Sequence, residues 1–476
     1  MASTITHGVQ TGKQATSVST PNVAETGIIF AVGTAPVHTV DGKVNEVVLA
    51  NTYEEAVNAL GYSDDWKKYG LSEVIYTAFK LYGNAPLLLV NVLDPKKHKK
   101  TGETKDTPVD NQIKLPLDAI DTSVKITGKT QGEDFEVFYD DDNCIVEFLE
   151  DTASEVTVTY DQIDTSAVTK TDIIGGYSPT THETTGLELI EKAFPMYSIV
   201  PDLILCPNWS HISEVAAVMS AKGENINGLF EANAILDVDT AAEEGAVYYT
   251  EVPAWKKAHN YTKVNELVCF PRLKLGDLEF NYSTQLAGLI GQVDNDTDLG
   301  KGTPCESASN KSLQADSMCI ADGTEVTLDL QQANYLNDNG IITALNLYNG
   351  FVSWGNYTAA FPASTDPVDY FYCISRMFKW VAKTVTLSYW SYIDRKLTRR
   401  LLDAVLQGVN TWLNSLTADE IILGGSVELR EDENSLTALM AGRAKFHIYI
   451  TPPSPLQKME FIMEYDVSYL SELLAA

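Results

Sequence analysis

The chain has 476 residues and sets 34 Lys and Arg against 65 Asp and Glu, for a formal net charge of -31. That length suggests about two to four domains of roughly 100–200 residues, and the acidic balance argues against nucleic acid as a direct partner, because phosphate binding needs a basic face. Six scattered cysteines form no CxxC pair, no run approaches about 18 apolar residues, and Met1 to Asn22 has neither the positive nor the apolar region of a leader; no disulfide framework, no membrane anchoring and cytoplasmic synthesis are therefore expected.

Residues 1–22 carry Lys13 as their only charged side chain and are rich in β-branched residues. They read as an extended arm whose Ile5, Val9 and Val18 would add a strand to a neighbouring subunit's sheet; the alternative is a disordered terminus. Residues 23–96 read as α/β, with a glycine-bounded strand at 27–33, a helix to Ala59 capped by Asn51 or Thr52, a helix at 72–82 and a buried strand at 87–93. The character changes at Asp94-Pro95, where 96–107 reads as a basic, polar linker. Short strands at 124–127, 135–139, 145–149 and 156–160 then make 97–181 a small inserted all-β domain. The α/β pattern resumes over 182–365, with a helix at 187–194, a strand at 203–206, a helix capped by Ser210 and a strand at 232–237. Such alternation predicts a mainly parallel, two-sided sheet. A helix at 328–337 follows, then a hairpin about Asn349-Gly350.

Residues 366–456 read as a C-terminal α+β domain. Asp366-Pro367 opens a long helix through Val381, a second helix covers 395–416, and a strand covers 445–451. Beyond the prolines at 452–455, the arm at 457–476 holds the clearest period-two segment. Met459, Phe461, Met463, Tyr465 and Val467 alternate there with Lys458, Glu460, Glu464 and Asp466, and Ile462 alone breaks the pattern. The expected fold class is thus α/β (α+β) and multi-domain: a mainly parallel sheet core, an inserted β domain, a C-terminal α+β domain and extended terminal β arms.

Chemistry-bearing motifs are wanting. No P-loop, GxGxxG, GxSxG or HExxH occurs. Asp294-Asn295-Asp296-Thr297-Asp298 begins like a calcium loop but has Leu299 at position six and Cys305 at position twelve, so it reads as a polar loop. No catalytic residue, metal or cofactor is expected. One local reversal of charge does stand out: Arg376, Lys379 and Lys383 at i, i+3, i+7, followed by Arg395, Lys396, Arg399 and Arg400. It reads either as a docking face for an acidic partner, or as a solvated face or pairing with the protein's own carboxylates.

The C-terminal third resembles the contractile-tail sheath family. The likeness is carried by Asp366-Pro367-Val368-Asp369-Tyr370-Phe371 opening a helix with Arg376, the helix to Trp412, Gly442-Arg443-Ala444-Lys445-Phe446-His447-Ile448-Tyr449-Ile450, and Lys458-Met459-Glu460-Phe461 before Tyr465-Asp466-Val467. Ser307-Ala308-Ser309-Asn310-Lys311 is similar to that family's serine-asparagine-lysine loop, and the likeness extends over most of 1–96 and 182–476. It implies a structural subunit of a phage tail or tail-like particle, made in the bacterial host cytoplasm. Such subunits stack as hexameric rings around a tail tube protein, between baseplate and tail terminator proteins. Terminal arms pair as strands with neighbours, and contraction draws on metastable packing without nucleotide. On this reading the helix bearing Arg376, Lys379 and Lys383, or the adjacent stripe with Arg395, Arg399 and Arg400, faces the tube, and the inserted β domain is outer decoration. The competing readings are an α/β enzyme with a β insertion and a monomeric surface-binding protein.

Overall fold

The apolar runs around Phe30, Leu88 and Ile204 are too short for helices and too continuous to leave one side wet, so they form the middle of a sheet covered on both faces. The computed structural model describes residues 20–140, 143–152, 154–348 and 350–472. Its central sheet contains β1 (Ile29–Gly33), β2 (Val47–Ala50), β3 (Leu87–Asn91), β4 (Leu203–Leu205), β5 (Asn233–Asp237) and β6 (Glu266–Cys269), in the order β6-β5-β4-β1-β3-β2. Neighbours run parallel, except that the edge strand β2 is antiparallel to β3. Phe30 faces Leu88 on one side and Ile204 on the other. Helix α1 (Tyr282–Asn295) is buried along nearly its whole length.

Several local expectations change. Ser210 does not cap the next helix, which runs Ser213–Glu224. Its hydroxyl instead donates to Asp237 Oδ2 and accepts the Asp237 N–H, each at 3.0 Å, fixing the end of β5. The polar stretch after Asp94 is no linker: Lys99–Asp106 pairs along its length with Val156–Ile163. Its alternation is hidden because it is an exposed strand with almost no apolar residue. Together with Lys125–Ile126 these strands form one three-stranded sheet; Gln112–Pro116, Asn143–Phe148 and Phe135–Tyr139 form another. The two enclose their own apolar cluster around Phe135, Val146, Phe148 and Val158. They dock on the core through Tyr69, whose hydroxyl donates to Asp118 Oδ1 at 2.6 Å, and through His38 Nε2, 3.0 Å from the Leu117 carbonyl.

The long helix expected after Pro367 is interrupted. A single turn, Pro367–Tyr370, ends where Phe371 takes an extended conformation and bridges to Tyr357. Helix α2 (Tyr372–Tyr389) follows, and α3 (Arg399–Ala418) starts behind the Thr398 cap, leaving Arg395 and Lys396 in the connection. Strands β7 (Gly424–Glu428) and β8 (His447–Thr451) form an antiparallel pair. Met377 and Trp380 of α2, Trp412 and Leu413 of α3, and Val427 build a third apolar cluster there, with Ile448 and Ile450 packed against it. The hairpin at 343–354 forms, with Asn346 opposite Phe351.

Candidate assembly interface

Three features converge on the C-terminal part: an extended segment along α2, a two-stranded sheet, and an exposed arm. The segment comes first. Asn22 N–H donates to Ser388 Oγ at 2.9 Å, Ala24 N–H to Thr384 Oγ1 at 3.2 Å, and Trp380 Nε1 to the Ala24 carbonyl at 2.8 Å. Thr26 Oγ1 donates to Asp294 Oδ2 at 2.7 Å, and Arg376 donates to both oxygens of that carboxylate. The chain leading out of the N-terminal arm is thereby tied along α2.

The same ion pair corrects the reading of the basic cluster. Arg376, Lys379 and Lys383 do share a face of α2, but that face turns inward. Arg376 is 4% exposed and Asp294 fully buried. Burial opposes the guanidinium charge and Asp294 more than offsets it, so the Arg376 pKa lies above its ordinary value. Lys383 pairs with Asp202. Lys379 donates to Asn233 Oδ1 at 2.9 Å, and burial lowers its amine to about 8 against the pull of Glu231. Arg376 and Lys383 thus pair with carboxylates of the core, while Lys379 bonds an amide oxygen there. Arg395, Lys396, Arg399 and Arg400 are exposed, beside Trp390 and Ile393, which are also exposed. Arg395 lies over the Tyr392 ring at 4.5 Å, and Arg399 pairs with Asp403 at 3.8 Å. In the Asp294–Asp298 run, Asp294 is bonded by Thr26 and Arg376, and Asp296 accepts the N–H groups of Asp298 and Leu299. Among the described residues no group of His, Cys, Asp and Glu side chains is placed to hold a metal.

The β7–β8 pair has one edge closed and one open. Val427 N–H donates to Asn410 Oδ1 at 3.0 Å, and the Val427 carbonyl accepts from Asn410 Nδ2 at 3.1 Å, so an α3 side chain occupies the outer edge of β7. Because Val427 points away from β8, its partner Ile448 points away from β7, and so does Ile450 opposite Gly425. Among the described residues, nothing receives the outward backbone groups of Ile448 and Ile450. Around this sheet, hydrogen bonds from Lys445 and His447 hold the Glu433 carboxyl down to about 2.

Residues 458–467 of the C-terminal arm have no ladder partner among the described residues, and Ser468–Glu472 is a short helix. The arm's last tie is Gln457, whose Oε1 accepts from Tyr357 Oη at 2.8 Å. From there Met459, Phe461, Met463 and Tyr465 are exposed, Phe461 at 82% and Met463 at 94%. Ile5, Val9 and Val18 lie outside the described residues.

The serine-asparagine-lysine loop is tied to the start of α2. Ser307 Oγ donates to Asn356 Oδ1 at 2.5 Å, and the Ala308 N–H donates to Tyr372 Oη at 2.8 Å. Sequence reasoning missed Thr26, Asp202 and Asp294 as partners of α2, and missed Trp380, Thr384 and Ser388. The last three carry a faint signal, since they lie four residues apart and therefore on one helix face.

Comparison with known proteins agrees with the resemblance read from the sequence. The chain is 24% identical to the tail sheath protein of Burkholderia phage BcepMu across 99% of both chains. It is 27% identical to the tail sheath protein of Escherichia phage P2 over 31% of this chain and 37% of the relative. Its fold matches the sheath of an extracellular contractile injection system in the contracted state, with a TM-score of 0.60 at 12% identity, covering 98% of this chain and 100% of the other. It also matches the contracted helical sheath of the anti-feeding prophage, with a TM-score of 0.57 at 10% identity, over 98% and 100%. No protein-family model matches the chain. Its curated relatives are thus phage tail sheath proteins, and its fold is that of contractile injection system sheaths.

Proposed function

We propose that this chain is the polymerising sheath subunit of a contractile tail or tail-like particle, with a structural and not a catalytic role. In this reading subunits form stacked hexameric rings around a tail tube, between a baseplate and a terminator, and contraction drives the tube through a target envelope. One observation carries it. Residues 458–467 carry apolar side chains with period two, are exposed, and have no ladder partner among the described residues. A monomer normally blunts or covers such a strand; a subunit that donates it to a neighbour has a use for it. The open edge of β8 is the natural acceptor, since Ile448 and Ile450 offer unpaired backbone groups beside an apolar cluster. The tube-facing role then rests with Arg395, Arg399 and Arg400, because Arg376, Lys379 and Lys383 are occupied internally. The domain division at 97–181 is kept as part of the proposal, with the inserted sheets outside the lattice contacts.

The test is electron microscopy of the full-length chain, a version lacking 1–22 and a version lacking 458–476, each co-expressed with its tube protein. Striated tubes from the full chain, lost in both truncations, are the expected result. A full chain that stays monomeric beside its tube overturns the proposal.

A further inference from the structure

The root of the N-terminal arm is pinned more regularly than a chain exit requires. Residues 22, 24 and 26 meet α2 at 388, at 384 and 380, and at 376 through the Asp294 carboxylate. Two residues of extended chain advance about 6.6 Å, and four residues of helix about 6 Å. The two repeats therefore stay in step, and the segment lies antiparallel along α2 as a rib. Val23 and Glu25 point outward, while Ala24 and Thr26 are buried. The rib ends at Gly27, whose φ is +74° and whose position would set a Cβ 2.8 Å from Gly291 Cα; from there the chain enters β1 at the centre of the sheet. Along the same helix, Lys383 holds Asp202, which precedes β4, Lys379 holds Asn233 at the start of β5, and Arg376 holds Asp294 at the end of α1.

The other end of α2 is tied to the other arm. Tyr372 N–H donates to the Asn356 carbonyl at 3.1 Å. The preceding Phe371 stacks on Tyr357 with ring centroids 5.6 Å apart, and the Tyr357 hydroxyl holds Gln457, where the C-terminal arm departs. The two arm roots thus attach to opposite ends of one 18-residue helix.

We infer that α2 is the tension member of the subunit. A pull on one arm passes to the other through the rib, α2 and Tyr357, and the central sheet is not peeled. Rib bonds spaced along the helix share a pull directed along its axis, whereas bonds at a single exit point break one at a time. Trp380, Thr384 and Ser388 are then positioning residues for the N-terminal arm. The source of the tension rests on the sheath reading, but the load path is a property of the single chain.

The test separates the two. The full-length chain is held by tags at its two termini and stretched in an optical trap, beside a Thr384→Val/Ser388→Ala variant and a Thr386→Val control. The expected result is that the control yields like the wild type. The double variant should yield at lower force in its first step. Should the double variant melt well below the wild type, Thr26→Val, which removes the rib's bonds to Asp294 and Arg376, takes its place. Yield forces equal to the wild type overturn the inference, whether or not the chain builds a sheath. In co-assembled particles triggered to contract, variant sheaths should part between subunits; contraction as intact as the wild type's overturns the role in the particle. A wild-type chain that forms no striated tubes fails the sheath reading alone, and the pulling result still decides the load path.

Discussion

Lys256 shows what this fold does with a charge it cannot expose. It is buried, and its Nζ donates to the Asn339 carbonyl at 2.7 Å and the Phe361 carbonyl at 3.1 Å. Burial lowers its pKa to about 8, against a weaker opposing pull from Glu266. Between about pH 8 and the ordinary lysine value the unfolded chain holds a proton that the folded chain has released, so stability must rise with pH across that window. The full swing is about 3 kcal/mol. Measured as melting temperature against Lys256→Met, which cancels the other titrating groups, the wild type's advantage should grow from pH 8 to pH 10. A difference flat with pH would place the ammonium in a wetter site. Arg376 is the opposite case, a buried charge fully paired. Arg376→Ala strands Asp294 in the interior and should cost about 3–5 kcal/mol in denaturant unfolding. Arg399→Glu/Arg400→Glu alters exposed side chains and should leave stability within about 0.5 kcal/mol while abolishing co-assembly with the tube. Unimpaired co-assembly would remove the tube-facing role from that stretch. The spacing of Arg376, Lys379 and Lys383 told the sequence reader that they share a face. It could not tell which way the face turns, because Asp294, Asp202 and Asn233 lie 82, 181 and 146 residues away.

At the scale of elements, what the sequence made legible was local periodicity, and what it hid was pairing. The apolar strands of the central sheet were readable because a two-sided parallel sheet leaves continuous apolar runs. Lys99–Asp106 was not readable, because an exposed strand held by backbone bonds to Val156–Ile163 needs no apolar side chain of its own. The break at Phe371 was hidden for a related reason. The residues around it suit a helix, and the break is imposed from outside by Asn356, Tyr357 and Thr358, which take its backbone. The C-terminal arm is the reverse case: period two was plain at 458–467, yet the described residues give it no ladder partner. That yields a prediction separating folding from assembly. Phe461→Asp/Met463→Asp changes two side chains that touch almost nothing in the subunit, so the melting temperature should stay within about a degree. Striated tubes should disappear, because one face of the donated strand would carry two charges into an apolar seat. A fall of several degrees would mean the arm folds back on its own subunit.

For the whole molecule, the question is whether the inserted sheets are part of what makes the fold stand. They have their own apolar cluster, and their first and last strands are paired at Lys99 and Ile163, so the chain leaves and re-enters the core at nearly one point. Little of the main core lies between these two residues: Ile120 packs with the main cluster, and Asp118 receives Tyr69 and Lys68. Replacing 100–162 by Asn-Gly, a two-residue turn suited to an antiparallel pair, therefore removes one buried isoleucine and the polar contacts of Lys68, Tyr69, His38, Lys99 and the Ile163 N–H with the insertion. Losing Ile120 costs about 1.5–3 kcal/mol, and uncovering Tyr69 and His38 adds to it. The shortened chain should still unfold in one cooperative transition, with its midpoint lowered by several degrees. If the insertion is outer decoration, that chain should also still form striated tubes with its tube protein, with a smaller outer diameter by electron microscopy. A shortened chain that folds but forms no tubes would place the inserted sheets among the lattice contacts. One that does not fold would make the joint at His38, Tyr69 and Asp118 part of the central core, and the division of the chain at 97–181 would have to be withdrawn.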